Sequence, residues 1–206
     1  MKKLALIAAA LSLPAAGCSV RNWINMEKVR AEPASPMVAK RIQPTLYLVL
    51  DPEKVADFME LRATGAWGAQ RTITFEDFQL FVTRDLKATL ENYFERVEVV
   101  KSGDPLPDGP IVIADVRVDR FKFQHRVHYH HIEMTWGLGL RPSDASEYVF
   151  SFIDESSSQF QISFERTMAQ LIESAIMEFN KALAEKGFSN LKKACEVDPS
   201  NQGIAP

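Results

Sequence analysis

Cysteine is scarce in this chain. Its 206 residues include two, Cys18 and Cys195. That is too few for a disulfide framework, and no CxxC pair offers a thiolate zinc site. An excess of one charge is also missing. Lys+Arg number 24 against 27 Asp+Glu, and the net charge of -3 excludes the basic footprint of a nucleic-acid binder. Beyond residue 17 no apolar run is long enough to cross a bilayer, so a polytopic helical membrane protein is excluded. Several enzyme signatures are absent: there is no Gly-x-Ser-x-Gly elbow, no phosphate-binding loop and no HExxH helix. Hydrophobic residues make up 46% and charged residues 25%, which rules out wholesale disorder. At about 100–200 residues per domain, this length accommodates one domain with tails.

The first segment, MKKLALIAAALSLPAAGCS, is the most informative. Lys2 and Lys3 form a basic start, Leu4 to Leu13 an apolar stretch too short to span comfortably, and Pro14-Ala15-Ala16-Gly17 leads into Cys18. This reads as a signal peptide over residues 1–17 whose cleavage exposes Cys18 for lipidation. Ala15 stands where Leu is commoner in such motifs, with Leu13 close by. An ordinary secreted protein cut near Ala16 or Gly17 is the competing reading. Loss of residues 1–17 removes two lysines and no acid, taking the charge from -3 to -5. Acyl chains on Cys18 would anchor the protein to a membrane without a spanning helix. They would also leave Cys195 as a lone thiol.

Residues 18–41 mix charge, Pro and Ser without periodicity and are expected to be a tether. Residues 189–206 are expected to be a flexible tail. Between them, 42–188 reads as one α+β domain. Thr45 to Leu50 predicts a buried strand, with a short helix possible over 52–60 in a long connection that runs to residue 72. Thr74 with Asp77 reads as a helix cap, and Phe78, Phe81, Val82, Leu86, Leu90 and Tyr93 form one helical stripe ending near Arg96. Val97 to Val99 starts a strand, and SGDPLPDGP is a turn. Val112, Ala114, Val116 and Val118 alternate, then Phe121 and Phe123 change the phase, which predicts a β-bulge near Asp119–Arg120. A return strand carries Ile132 to Leu140. A further strand, Tyr148 to Phe152, is closed by Ser156 to Ser158. Met168 to Leu183 forms a final amphipathic helix with Gly187 as its cap. The expected fold is a twisted, mainly antiparallel sheet of about four to five strands with two amphipathic helices on one face.

The segments FQLFVTRDLKATL, TRDLKATLENYF and IADVRVDRF, set between a lipidation motif and a closing amphipathic helix, resemble the YajG-like lipoproteins and, more loosely, the auxiliary lipoproteins of ABC-type transport systems. The resemblance covers most of 45–187. It implies a non-enzymatic envelope lipoprotein that binds partners or assists lipid transport, and it brings no catalytic residues. Ser19, where Asp would be a retention signal in enteric lipoproteins, points by the same resemblance to the outer membrane with the domain facing the periplasm.

All four histidines fall in HRVHYHHIE: His125, His128, His130 and His131, followed by Glu133. Imidazole is the commonest ligand of transition metals, and an i, i+2 pair on a strand chelates zinc or copper, so a periplasmic metal-binding protein is the alternative function. The plainer reading is a polar hairpin tip. Trp67 between glycines, with His128 and Tyr129, forms the expected partner-contact set. Gly137-Leu138-Gly139 lacks a third glycine for a dinucleotide and reads as close packing. Asp154-Glu155 lacks the partner carboxylates of a glycosidase. Asp115, Arg117, Asp119 and Arg120 read as a salt-bridged surface. The function expected is a lipid-anchored, non-catalytic accessory or interaction module with an envelope protein as partner, no nucleic acid, and no cofactor beyond the covalent lipid.

Overall fold

The computed structural model describes residues 19–29, 31, 40–64, 70–125, 129–160 and 163–196. The strands are β1 (Val20–Asn25), β2 (Thr45–Leu50), β3 (Met59–Thr64), β4 (Gln70–Glu76), β5 (Val97–Lys101), β6 (Ile111–His125), β7 (His130–Pro142) and β8 (Phe150–Phe160). A π-helical turn, Phe81–Leu86, leads into α1 (Lys87–Leu90). Helix α2 (Phe164–Ala182) passes through a second such turn, Leu183–Gly187, into α3 (Phe188–Glu196). Two sheets result. The larger has the order β5-β2-β6-β7-β8 and the smaller β1-β4-β3. The fold is α+β, as expected.

In the larger sheet β6, β7 and β8 are antiparallel, while β2 runs parallel to both β5 and β6. The helical stretch between β2 and β5 supplies the long crossover that a parallel pair requires. Period-two alternation sends Val112, Ala114, Val116, Ile132, Met134, Trp136, Leu138 and Leu140 to one face, where all are buried. Helix α2 covers that face with Met168, Leu171, Ile172, Ala175, Ile176 and Phe179. Trp136 lies at the centre, its ring 5.3 Å from Phe81, 5.3 Å from Phe152 and 6.0 Å from Phe179. Each such side chain contributes roughly 1.5–3 kcal/mol on leaving water. Ser163 starts α2, its side-chain oxygen accepting the Arg166 N–H at 3.3 Å.

The bulge falls where the phase change places it. The β6–β7 register shifts between Val118 and Arg120, and Phe121 and Phe123 then meet Met134 and Ile132 on the core side. Beside the bulge the Val118 N–H donates to the Lys54 carbonyl at 3.0 Å. The irregularity thus docks the β2–β3 connection on the large sheet. Phe121 completes the junction by lying 5.2 Å from Phe75 and 5.4 Å from Phe78, both buried.

Several expectations are corrected. Residues 20–29 are not tether: β1 pairs with β4, and Ile24, Met26 and Val29 are buried. The connection at 51–72 holds β3 and the start of β4 rather than a helix at 52–60, because Leu61 and Ala63 alternate with polar residues and pair across to β4. Thr74 is no helix cap. It lies in the central strand of the small sheet, which ends at Glu76; Asp77 next to it turns the chain with a φ of 58°. Ser156 to Ser158 do not close β8, which runs on to Phe160 because each serine has a partner on β7. Gly187 caps nothing: the helix continues into α3, where Leu191 is buried, so the tail reading fails up to Glu196. A Cβ at Gly187 would lie 2.5 Å from the Phe150 ring. The glycine is there for a close approach of helix to sheet. Residues 197–206 lie outside the described residues.

Candidate functional site

Cys18, His128 and Trp67 lie outside the described residues, and of His125 only its backbone at the end of β6 is described. His130 and His131 diverge. His130 shares the core side with Ile132, its ring 5.8 Å from Phe123 and 5.9 Å from, and nearly parallel to, Phe164. It closes the core at its hairpin end as an aromatic surface. His131 faces the other way, and its Nε2 lies 3.0 Å from Glu133 Oε1. Lys122, the cross-strand partner of Glu133, donates to Oε2 at 2.8 Å. The hydrogen bond from Lys122 is the main cause holding the Glu133 carboxyl below its ordinary range; burial opposes it, and His131 adds to the lowering. Among the described residues no three His, Cys, Asp or Glu side chains gather as a metal group. Tyr129 is half-buried at the base of the hairpin tip.

On the solvent face of the large sheet, Gly137 and Gly139 sit opposite Arg117 and Asp115. A Cβ at Gly139 would strike the Tyr148 ring at 2.5 Å, and one at Gly137 would crowd the Phe152 carbonyl at 3.1 Å. Gly139 makes a floor on which Tyr148 lies, while Gly137 gives room to the Arg117 side chain, and the Tyr148 hydroxyl donates to Asp115 at 3.1 Å. Arg141 lies 3.8 Å from the same carboxylate, and Arg117 donates to Asp119 at 3.1 Å. Burial first, and Asp115 second, push the Tyr148 phenol up. The charges satisfy one another, as the salt-bridged reading of this strand face expects. Asp154, on the core side of β8, accepts from Ser156.

A groove of about 640 Å³ opens at the other end of the large sheet. Pro44, Pro110, Ile111, Pro142 and Cys195 line it, at the mouths of β2 and β6 and the end of α3. Its size is within the range of small-molecule sites. Burial pushes the Cys195 thiol up, which keeps it in the protonated, weakly nucleophilic form. Sequence periodicity carries no trace of this groove, since its walls come from four separate segments.

Arg84 is the polar residue that sequence reasoning passed over. It forms a two-pronged pair with Asp85, at 2.7 and 2.9 Å, and donates to the carbonyls of Met26 at 3.1 Å and Val29 at 2.7 Å. One guanidinium therefore fastens the turn after β1 to the helical layer.

A solved structure shares this architecture. Protein XCC0632 from Xanthomonas campestris, of family DUF330, superposes with a TM-score of 0.52 at 10% identity, over 84% of this chain and 96% of that one. Two bacterial lipoproteins align more distantly. The minor lipoprotein of Acinetobacter baumannii has a TM-score of 0.39 at 8% identity, over 70% of this chain and 93% of its own. Lipoprotein GNA1162 from Neisseria meningitidis has 0.39 at 8%, over 67% and 99%. No family model and no curated protein matches the sequence. The Xanthomonas likeness establishes a common fold.

Proposed function

We propose that the chain is a bacterial envelope lipoprotein, acylated at Cys18, whose α+β domain is a non-catalytic accessory or interaction module of an envelope assembly. The observation that carries this reading is the leader: a basic start, a short apolar run and small residues ending at Cys18. The position of β1 agrees with it. The first described strand starts at Val20, two residues after Cys18, so cleavage before Cys18 leaves every described strand intact. Ser19 favours the outer membrane, and the resemblance of 45–187 to transport auxiliary lipoproteins favours a transport assembly. The anchor raises the local concentration of the domain near membrane-bound partners. A metal-binding function has less support, because Glu133, the acidic neighbour of the histidines, is engaged by Lys122.

Palmitate labelling and fractionation of wild type and Cys18→Ser test the proposal. The wild type carries label and sediments with membranes. The variant is unlabelled, soluble, equally stable and inactive in complementation. Wild type without label, or a soluble variant that complements fully, overturns it.

A further inference from the structure

Resting on the reading of Cys18 as the acylated residue, we propose that one end of the small sheet is a lipid-docking surface, held flat on an anionic membrane by arginines. A single residue, Ser19, separates Cys18 from Val20, the first residue of β1. The extended chain covers about 3.3–3.6 Å per residue, so the start of β1 stands within about 7 Å of the anchored cysteine. Whatever surrounds the Val20 end of this sheet therefore meets the headgroups.

The register shows what surrounds it. Val20 pairs with Arg71, and Arg71 with Ala63; one step further in, Arg21 pairs with Thr72, and Thr72 with Arg62. Arg21 and Arg62 thus share one face at this end, and Arg71, one residue further out on the middle strand, projects from the other, so arginines of three strands flank the end on both faces. Arg62 is well exposed and bonded to Glu60, leaving an excess of two positive charges. Trp23, on the Arg21 face of the edge strand, is 54% exposed. An indole beside arginines suits the interface between water and acyl chains. The opposite end has the other sign: Glu27, Asp57, Glu76 and Asp77 lie there beside Lys28. The domain as a whole is acidic, so this cationic end orients it toward a negative surface rather than merely adding charge.

Each arginine at an anionic surface raises the docked population about fivefold, and all three together about a hundredfold. The test uses the mature full-length lipoprotein in vesicles of bromine-labelled phosphatidylcholine, with and without phosphatidylglycerol. The Trp23 signal is taken as the difference between wild type and Trp23→Phe. Trp23 is expected to be quenched in the anionic vesicles and released by about 1 M salt, where the Debye length is about 3 Å. It is also expected to be released in an Arg21→Gln/Arg62→Gln/Arg71→Gln variant whose thermal midpoint matches wild type. Trp23 left unquenched, or quenched equally in neutral lipid or in the triple variant, overturns the docking surface and assigns the arginines to an acidic protein partner. The mass of the N-terminal peptide is read in parallel. An unacylated Cys18 removes the anchor itself, a failure distinct from an acylated protein whose Trp23 stays in water.

Discussion

The two sheets are built by different means. The large one has three chain neighbours at its centre: β6, β7 and β8 follow one another, pair antiparallel, and share a helix-covered core face, with β2 and β5 added in parallel along one side. The small one joins a local β3–β4 pair to a distant strand. Its edge strand β1 runs parallel to β4, which lies some fifty residues later in the chain, and a single arginine on the helical layer holds the turn that follows. The large sheet draws its stability from a long helix-covered apolar face, and the small one from a shorter buried set, Ile24, Met26, Val29 and Ile73, with the Phe75–Phe78–Phe121 junction and the polar contacts of Arg84. The first should therefore fail globally when a side chain is removed, and the second locally.

The sharpest way to break the contrast is at its centre. Trp136→Ala should cost about 3–5 kcal/mol, read by chemical denaturation as one cooperative loss of both sheets. A variant that lost only the large sheet would show that the small one folds alone. Next, Arg84→Met removes the guanidinium donor from the Val29 carbonyl, leaves the Met26 carbonyl with the Val29 N–H alone, and leaves Asp85 buried without its cation. The expected cost is about 2–3 kcal/mol. Amide exchange should rise at 20–29 and leave β6 and β7 protected; uniform exchange would erase the distinction. The third test compares two glycines with equally short virtual contacts. Gly187→Ala drives a methyl group into the buried Phe150 ring and should cost roughly 1–3 kcal/mol. Gly139→Ala meets Tyr148, a half-exposed ring that can swing away at the loss of one hydrogen bond, so about 1 kcal/mol or less is expected by thermal melt. Equal losses at the two sites would mean that Tyr148 is held as firmly as Phe150.

The smallest effect concerns the hairpin. The Glu133 carboxyl is held below its ordinary value of 4.5, so its bonds to Lys122 and His131 contribute fully above that value. That contribution fades as the pH falls through the lower folded value. Amide protection at 122–125 and 129–133, corrected for intrinsic exchange, should fall in acid for wild type and show no such acid step in Glu133→Gln. A step of the same size in the variant would assign the acid sensitivity elsewhere.

The same difference explains what was legible in the sequence. The bulge at Val118–Arg120 could be read because a one-residue slip in Val/Phe alternation has one geometric meaning. Helix α2 could be read because its stripe is long. Strand β1 could not: VRNWIN buries Ile24 alone among its six residues, and its partner is remote. Strand β4 was hidden behind Thr74 and Asp77, which imitate a capping box two turns ahead of the real helical stretch. Gly187 after Lys181 and Lys186 looks like a stop until the Phe150 ring above it is seen. Of the site expectations, the glycines of β7 and the alternating charges of β6 were legible because both are local patterns. The proline-lined groove and the arginine cluster were not, since each is gathered from separate segments.

One consequence of the parallel β1–β4 pairing is mechanical. The β1 hydrogen bonds lie across the strand, so a tug on residue 19 along the strand axis puts every rung in shear at once. An antiparallel hairpin pulled at one free end would instead unzip rung by rung. Whatever strain thermal motion or a moving partner places between the N-terminus and this domain is thus shared along the whole of β1, and the short edge strand serves as a grip.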